Sequence, residues 1–409
     1  SWLSQAVRVG AQCELKTIHE GVAAAAWQQY ATEASGRALP EGSVLVLVEP
    51  GVYEEGGLIG RGQEGDEDEN LDSEEEEEDE DEDGGGEKLI QRVSFWGCER
   101  ESVSGKGEMQ KVQWVSSNVY TLLVRGAATV GVNGITMEAA GDDDGGEFTC
   151  VCAEGASTLS LERCDLTCDG AAVIGVSGQG TTAAISRCGI HHGKEGGVLI
   201  FDGASATLEN NDIHSNAKAG VQVLHEGSHA VLRNNRIHSG MEDGVLIIKR
   251  AAATLENNDI HSNTMAGVQV HNEGCKATLK GNRIHDCKEE GVLISDKGCA
   301  TLENNIIADN DLTGVNIDGY CAATLTGNTI KGNGQCKVER AGRVLGRWPA
   351  HFTACYRSAS GFPGVMAVDH STVTGINEFP GSNTIDGNGK VGSTGEQVST
   401  DGTSSCRFL

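Results

Sequence analysis

The sequence predicts an all-β solenoid, a single-stranded parallel β-helix wound in coils of 23 and 24 residues. Three observations predict it. The motif Gly-Val-x-(Ile/Val) begins at Gly197, Gly220, Gly244, Gly267, Gly291 and Gly314. A second motif, Leu-x-x-Asn-x-Ile, keeps step with it and ends at Ile213, Ile237, Ile260, Ile284, Ile307 and Ile330. A fixed short period means one structural unit stacked many times. The third observation is charge. One residue before the isoleucine the order is Asp212, Arg236, Asp259, Arg283, and four before it the order is Glu209, Arg233, Glu256, Lys280, Glu303. Opposite charges favour neighbouring strands and like charges oppose them. An in-register parallel stack accounts for this alternation, and the full repeat is then a pair of coils, 47 residues long.

Each unit is too short for two helices and a turn. In the unit from Gly220, three short apolar runs (Val221 to Val223, Ala230 to Leu232, Arg236 to His238) are separated by Gly, Asn, Ser and charged residues, which is turn chemistry. Successive coils are expected roughly 4.8 Å apart. No coil can bury its inward side chains alone, so its neighbours complete the core. Two residues before each isoleucine stand Asn211, Asn235, Asn258, Asn282, Asn305 and Asn328, with Cys164 and Cys188 in the same place of two earlier, weaker coils. Stacked asparagine amides can satisfy a buried turn from coil to coil.

Taken along the chain, Leu15 to Ala34 reads as a helix with Leu15, Ile18, Val22 and Ala25 on one face, ended by Ser35-Gly36. A helix there would cap the open N-terminal end of the stack. Val44 to Val48 reads as a strand, and Leu89 to Trp96 and Tyr120 to Arg125 as strands of early, irregular coils. Regular coils are expected from about 128 to 333, and the period is lost after Lys337. Trp348, Phe352, Tyr356 and Phe362 mark a C-terminal cap. Residues 371–388 read as a last degenerate coil, and the remainder as a polar tail. The division is a capping region at 1–43, the β-helix at 44–335 with an acidic insertion at 63–87, and a cap with tail at 336–409.

The chain has 409 residues and a formal net charge of −29, which argues against nucleic acid as a partner. Between Glu64 and Asp83 lie 16 acidic residues and no basic one, and such a run cannot bury itself. Asp142 to Asp144 reads as a smaller insertion of the same kind. The 14 cysteines follow the repeat, with Cys275, Cys299 and Cys321 near one turn, and read as reduced core and turn filling. That favours an intracellular, cytoplasmic setting. No apolar run is long enough to span a membrane, no signal peptide is read, and a monomer is expected.

These motifs carry a resemblance. Repeats of the type Gly-Val-x-Ile … Asn-x-Ile-His resemble the right-handed parallel β-helix domain of F-box-only substrate receptors, of SHC SH2-domain-binding proteins, and of the domain shared by carbohydrate-binding proteins and sugar hydrolases. Val46 to Glu55 and Val93 to Gly97 look like that family's opening coils. The resemblance implies a right-handed winding. It also implies two classes of function, protein recognition and action on acidic polysaccharides. The substrate receptors carry an F-box ahead of the coils. None is read here, and a ligase role is not expected of the chain as given.

Catalysis on sugars would need two carboxyl groups flanking a bond, or a cation and a base beside a carboxylate. On the first strand of each coil the outward residues are Leu199, Gln222, Leu246, Gln269, Leu293 and Asn316, none of them a general acid or base. Further along stand Phe201, Leu224, Ile248, His271, Ser295 and Asp318, with Asp202, His225 and Lys249 nearby; these read as isolated groups. Another row, His191, His214, His238, His261 and His285, follows the isoleucines. It reads as a ladder set by the repeat, with a metal or pH-sensing stripe as the alternative. No catalytic residue, metal ligand or cofactor is assigned. The expected partner surface is Leu199, Phe201, Gln222, Leu224, Leu246, Ile248, Gln269 and Leu293, since outward apolar groups mark partner sites. The function expected is a non-catalytic scaffold for a protein partner; a carbohydrate-binding or carbohydrate-active role and a purely structural solenoid remain open beside it.

Overall fold

A computed structural model describes residues 120–140 and 149–334 continuously. Outside them it describes strands Val7–Val9, Val44–Val48, Gly51–Glu54, Gly57–Ile59, Arg92–Gly97, Arg100–Glu101, Met109–Gln110, Val112–Ser116, Val365–Ala367, Thr372–Thr374, Thr384–Asp386, Val398–Thr400 and Ser405–Arg407. From Tyr120 to Lys331 each coil contributes one strand to each of three long parallel sheets. In the coil from Gly220 the strands are Val221–Leu224 (sheet one), His229–Arg233 (sheet two) and Arg236–His238 (sheet three). Rung partners are the residues one repeat apart: Val221 with Val245, Leu232 with Leu255, Ile237 with Ile260. Asp212 pairs with Arg236 and Arg236 with Asp259, as the alternation requires. The expected N-terminal helix (Leu15 to Ala34), the acidic runs (63–87 and 142–144) and the aromatic segment (340–362) lie outside the described residues.

The interior is a set of columns. Val221, Val223, Ala230, Leu232 and Ile237 of one coil are buried, and so are their equivalents Val245, Ile247, Ala253, Leu255 and Ile260 on the next. Early coils close the column with larger groups, Phe95 and Trp114, whose ring centroids are 5.7 Å apart. The glycine of each Gly-Val pair is fixed by close approach. A Cβ on Gly267 would lie 2.4 Å from Ile284 Cγ2 and 2.7 Å from the Gly291 carbonyl oxygen. The two sequence motifs therefore keep step because one supplies the gap that the other fills.

Corners are turned by residues in the left-handed region, which Asn, Asp and Gly tolerate best. Asn210, Asn234, Asn257, Gly281 and Asn304 turn sheet two into sheet three, with φ between 53° and 66°. Beside that corner runs the asparagine ladder. Asn235 Nδ2 donates to Asn258 Oδ1 (3.0 Å) and to the Leu208 carbonyl (2.8 Å), while the Asn235 N–H donates to Asn258 Oδ1 (2.9 Å). The pattern repeats up the stack through Asn282 and Asn305 to Asn328. At the lower end Asn211 Oδ1 accepts the Cys188 N–H. A second ladder, not foreseen from the sequence, lines the corner after sheet three. Asn216, Asn263 and Asn310 accept the N–H groups of Gly193, Gly240 and Cys287, and Asn333 accepts that of Asn310.

The stack continues where the sequence shows no period. Val365–Ala367, Thr372–Thr374 and Thr384–Asp386 pair in parallel with the coil that ends at Lys331, and Val398–Thr400 and Ser405–Arg407 pair above them.

Candidate functional site

Sheet one presents two outward rows. Leu199, Gln222, Leu246, Gln269 and Leu293 are successive rung partners and are half-buried. Asn316 is the next member of this row and is fully buried. Beside it run Phe201, Leu224 and Ile248, also half-buried, then His271 and Ser295, then the buried Asp318. All eight residues of the expected partner surface thus share one sheet face. The large apolar side chains that are exposed, among the described residues, lie elsewhere: Met241, Met265, Ile306 and Tyr320.

The polar groups at the edge of this face are joined, not isolated. Asp202 Oδ1 meets His225 Nδ1 at 2.5 Å, and His225 Nε2 lies 3.3 Å from Lys249 Nζ. Ser295 Oγ is 2.9 Å from His271 Nδ1, and Asp296 Oδ2 is 3.4 Å from His271 Nε2. Sequence reading missed these links because they connect consecutive coils. The Ser295–His271–Asp296 chain has the connectivity of a nucleophilic relay, but an acyl-transfer site also needs N–H donors aimed at the developing oxyanion. The neighbouring N–H groups are committed, that of Asp296 to the Asp318 carbonyl and that of Lys297 to the Gly319 carbonyl. The same connectivity recurs at Asp212, His238 and Ser239, at 3.0 Å for both contacts. It is a product of stacking polar columns.

On sheet three His191, His214, His238, His261 and His285 form a stack with ring centroids 4.8 to 5.2 Å apart. The acidic row expected to bridge to arginine serves the histidines more closely. Asp165, Asp212 and Asp259 accept from Nε2 of His191, His238 and His285 at 2.9 to 3.0 Å, whereas Arg283 and Asp259 are 4.0 Å apart. The intervening His261 instead accepts from Arg236 Nε (3.2 Å). Burial, reinforced by neighbouring imidazoles, holds His214 and His261 below the usual histidine range. Among the described residues no three His, Cys, Asp or Glu side chains converge on a metal position. Parallel stacked rings direct their lone pairs side by side, which explains why the histidine column makes no such cluster.

A buried column with two acidic members borders sheet one. The residues ahead of the last five Gly-Val pairs are Ala219, Asp243, Ala266, Glu290 and Thr313, all buried. Burial, then the nearby Glu289, pushes the Asp243 carboxyl up to about 8 and the Glu290 carboxyl to about 7. Asp243 Oδ1 accepts the Ala266 N–H at 3.0 Å, and Asn316 Nδ2 donates to Glu290 Oε1 at 3.2 Å. The described cysteines are free thiols, all buried except Cys299. No helix among the described residues is long and apolar enough to cross a membrane.

The sequence profile of the right-handed beta helix region matches residues 120–284 and 271–393. The chain belongs to the right-handed parallel β-helix family. A comparison with curated proteins returns no match. Among solved structures, the Dettilon tailspike protein (gp208) is similar at a TM-score of 0.54 and 12% identity, over 93% of this chain and 65% of that one. The A-module of the Azotobacter vinelandii mannuronan C-5 epimerase AlgE4 gives a TM-score of 0.44 at 14% identity, over 96% and 90%. Pectate lyase Pel9A gives 0.39 at 14%, over 80% and 79%. At these identities the likeness of this β-helix to them concerns fold alone.

Proposed function

We propose that the chain is a non-catalytic recognition module and that the outward face of sheet one receives an extended segment of a protein partner. The observation that carries this is the pair of adjacent rows, Leu199–Gln222–Leu246–Gln269–Leu293 and Phe201–Leu224–Ile248, which places apolar groups and amides over five successive coils of one flat face. Solenoids use long surfaces of this kind for extended partners. Apolar burial supplies affinity and the interleaved amides fix the register. The test is capture of partners by the parent chain and by a Leu199→Ser, Leu246→Ser, Leu293→Ser variant. The reading expects the bound set to be lost with the three leucines and kept when the exposed Met241 and Met265 are changed instead. An identical set from both variants would overturn it.

A second reading is a polysaccharide ligand on the same face, favoured by the alternation itself. Amides recur every second coil, about 9.6 Å apart, an interval comparable to a disaccharide unit, and the polar links at His271, Ser295 and Asp296 border the row. Binding on a glycan array, or release of reducing ends or unsaturated sugars from acidic polysaccharides, would select this reading over the first.

A further inference from the structure

The corner where sheet one begins holds more negative charge than the fold compensates. Glu290 is buried and Glu289 stands beside it, and no basic side chain is among the groups that act on either. Lys288, the adjacent cation, turns toward Asp311 at 3.6 Å. Two further oxygens at this corner have no hydrogen-bond partner: Thr313 Oγ1 and Asn316 Oδ1, both on residues with 0% exposure. The Gly291 N–H donates to the Thr313 carbonyl at 3.0 Å, which sets Thr313 on the coil directly over Glu290. The bond from Asn316 Nδ2 to Glu290 Oε1 holds the Asn316 amide against the carboxyl, so its Oδ1 lies in the same corner. Buried polar atoms are nearly always partnered, and each exception calls for an explanation.

We propose that this corner binds a hard divalent cation through the Glu290 carboxylate, Asn316 Oδ1 and Thr313 Oγ1, with water completing the shell. The donor set is all oxygen, which suits calcium or magnesium and not zinc. Asp318, two residues from Asn316 on the same strand face and 7% exposed, is a third carboxyl near the corner. The cation would also relieve the cost of holding an ionised Glu290 away from water, because an opposite charge restores the charged form. With an amide and a hydroxyl among the ligands the affinity falls in the weak class, a Kd on the order of 10⁻⁴ to 10⁻³ M. The proposal rests on the corner alone and does not depend on what the leucine face binds.

The test is calorimetric titration of the full chain, stripped with a chelator, against Ca2+, Mg2+ and Zn2+, with Glu290→Gln, Asn316→Leu and Asn316→Asp beside the parent. The acidic run from Glu64 to Asp83 will take up cations unspecifically in all four proteins, so the quantity read is the difference from the parent. One saturable Ca2+ or Mg2+ site is expected in the parent, absent from E290Q and N316L and tightened about tenfold in N316D, which exchanges a neutral oxygen for a charged one. E290Q removes a buried charge and should melt no lower than the parent in chelator, so it decides the matter even where N316L fails to fold. A parent without a saturable site, or an E290Q variant that binds as the parent does, would overturn the proposal.

Discussion

At the scale of single residues, the stack imposes roles that composition alone does not reveal. The repeat motifs in the sequence do not mark out Asp243. In the structure it is buried between Ala219 and Ala266, and burial pushes its carboxyl up to about 8. A carboxyl raised in the folded state keeps its proton there while the unfolded chain loses it, so its stabilising effect is full below the unfolded value near 4 and is lost as pH rises toward 8. Asp243→Asn keeps the acceptor for the Ala266 N–H and removes the titration. Between pH 5.5 and 7.5 the unfolding free energy of the parent should fall relative to D243N by roughly 2–3 kcal/mol. Urea unfolding of both proteins at the two pH values measures it, and parallel behaviour would contradict the assignment.

At the scale of elements, the histidine column shows how a two-coil repeat distributes charge. Its members alternate between those that donate to Asp165, Asp212 and Asp259 and those that do not, His214 and His261. Both of the latter sit below the usual range through burial and the neighbouring rings, against the pull of Asp212 and Asp259. For a histidine lowered in the folded state, the stability it allows is present above the unfolded value of about 6.5 and is lost as pH falls below it. The parent should therefore lose more unfolding free energy between pH 7 and pH 5 than a His214→Asn, His261→Asn variant. Equal pH slopes would show that the column does not couple to folding. Part of this was legible beforehand: the column, its spacing and the Asp/Arg alternation follow from counting along the repeat. The aspartate–histidine bonds were not, because they run diagonally from one coil to the next, 26 residues apart. The second asparagine ladder escaped for a related reason: Gly240 and Cys287 hold alternate places in it, so no single residue type marks the column.

At the scale of the whole molecule, the period announced the architecture where every coil carries the same punctuation. It fell silent where coils lengthen, as between Lys331 and Val365, although Val365–Ala367 still pairs with Val315–Asp318 of the coil before. The outward leucines and amides of sheet one were likewise legible as a row. The acidic corner was not, because Glu290, Thr313 and Asn316 meet only through the stacking of two coils. All of these inferences depend on a register that repeats every second coil. Deleting 220–243 removes one coil and brings Glu209 against Glu256 and Asp212 against Asp259. Deleting 220–266 removes two coils and leaves Glu209 against Lys280 and Asp212 against Arg283. The decisive measurement is the urea midpoint of these two proteins side by side. The two-coil register predicts that the doubly shortened chain, although smaller, unfolds at the higher midpoint. A single-coil deletion as stable as the double one, or more so, would contradict it.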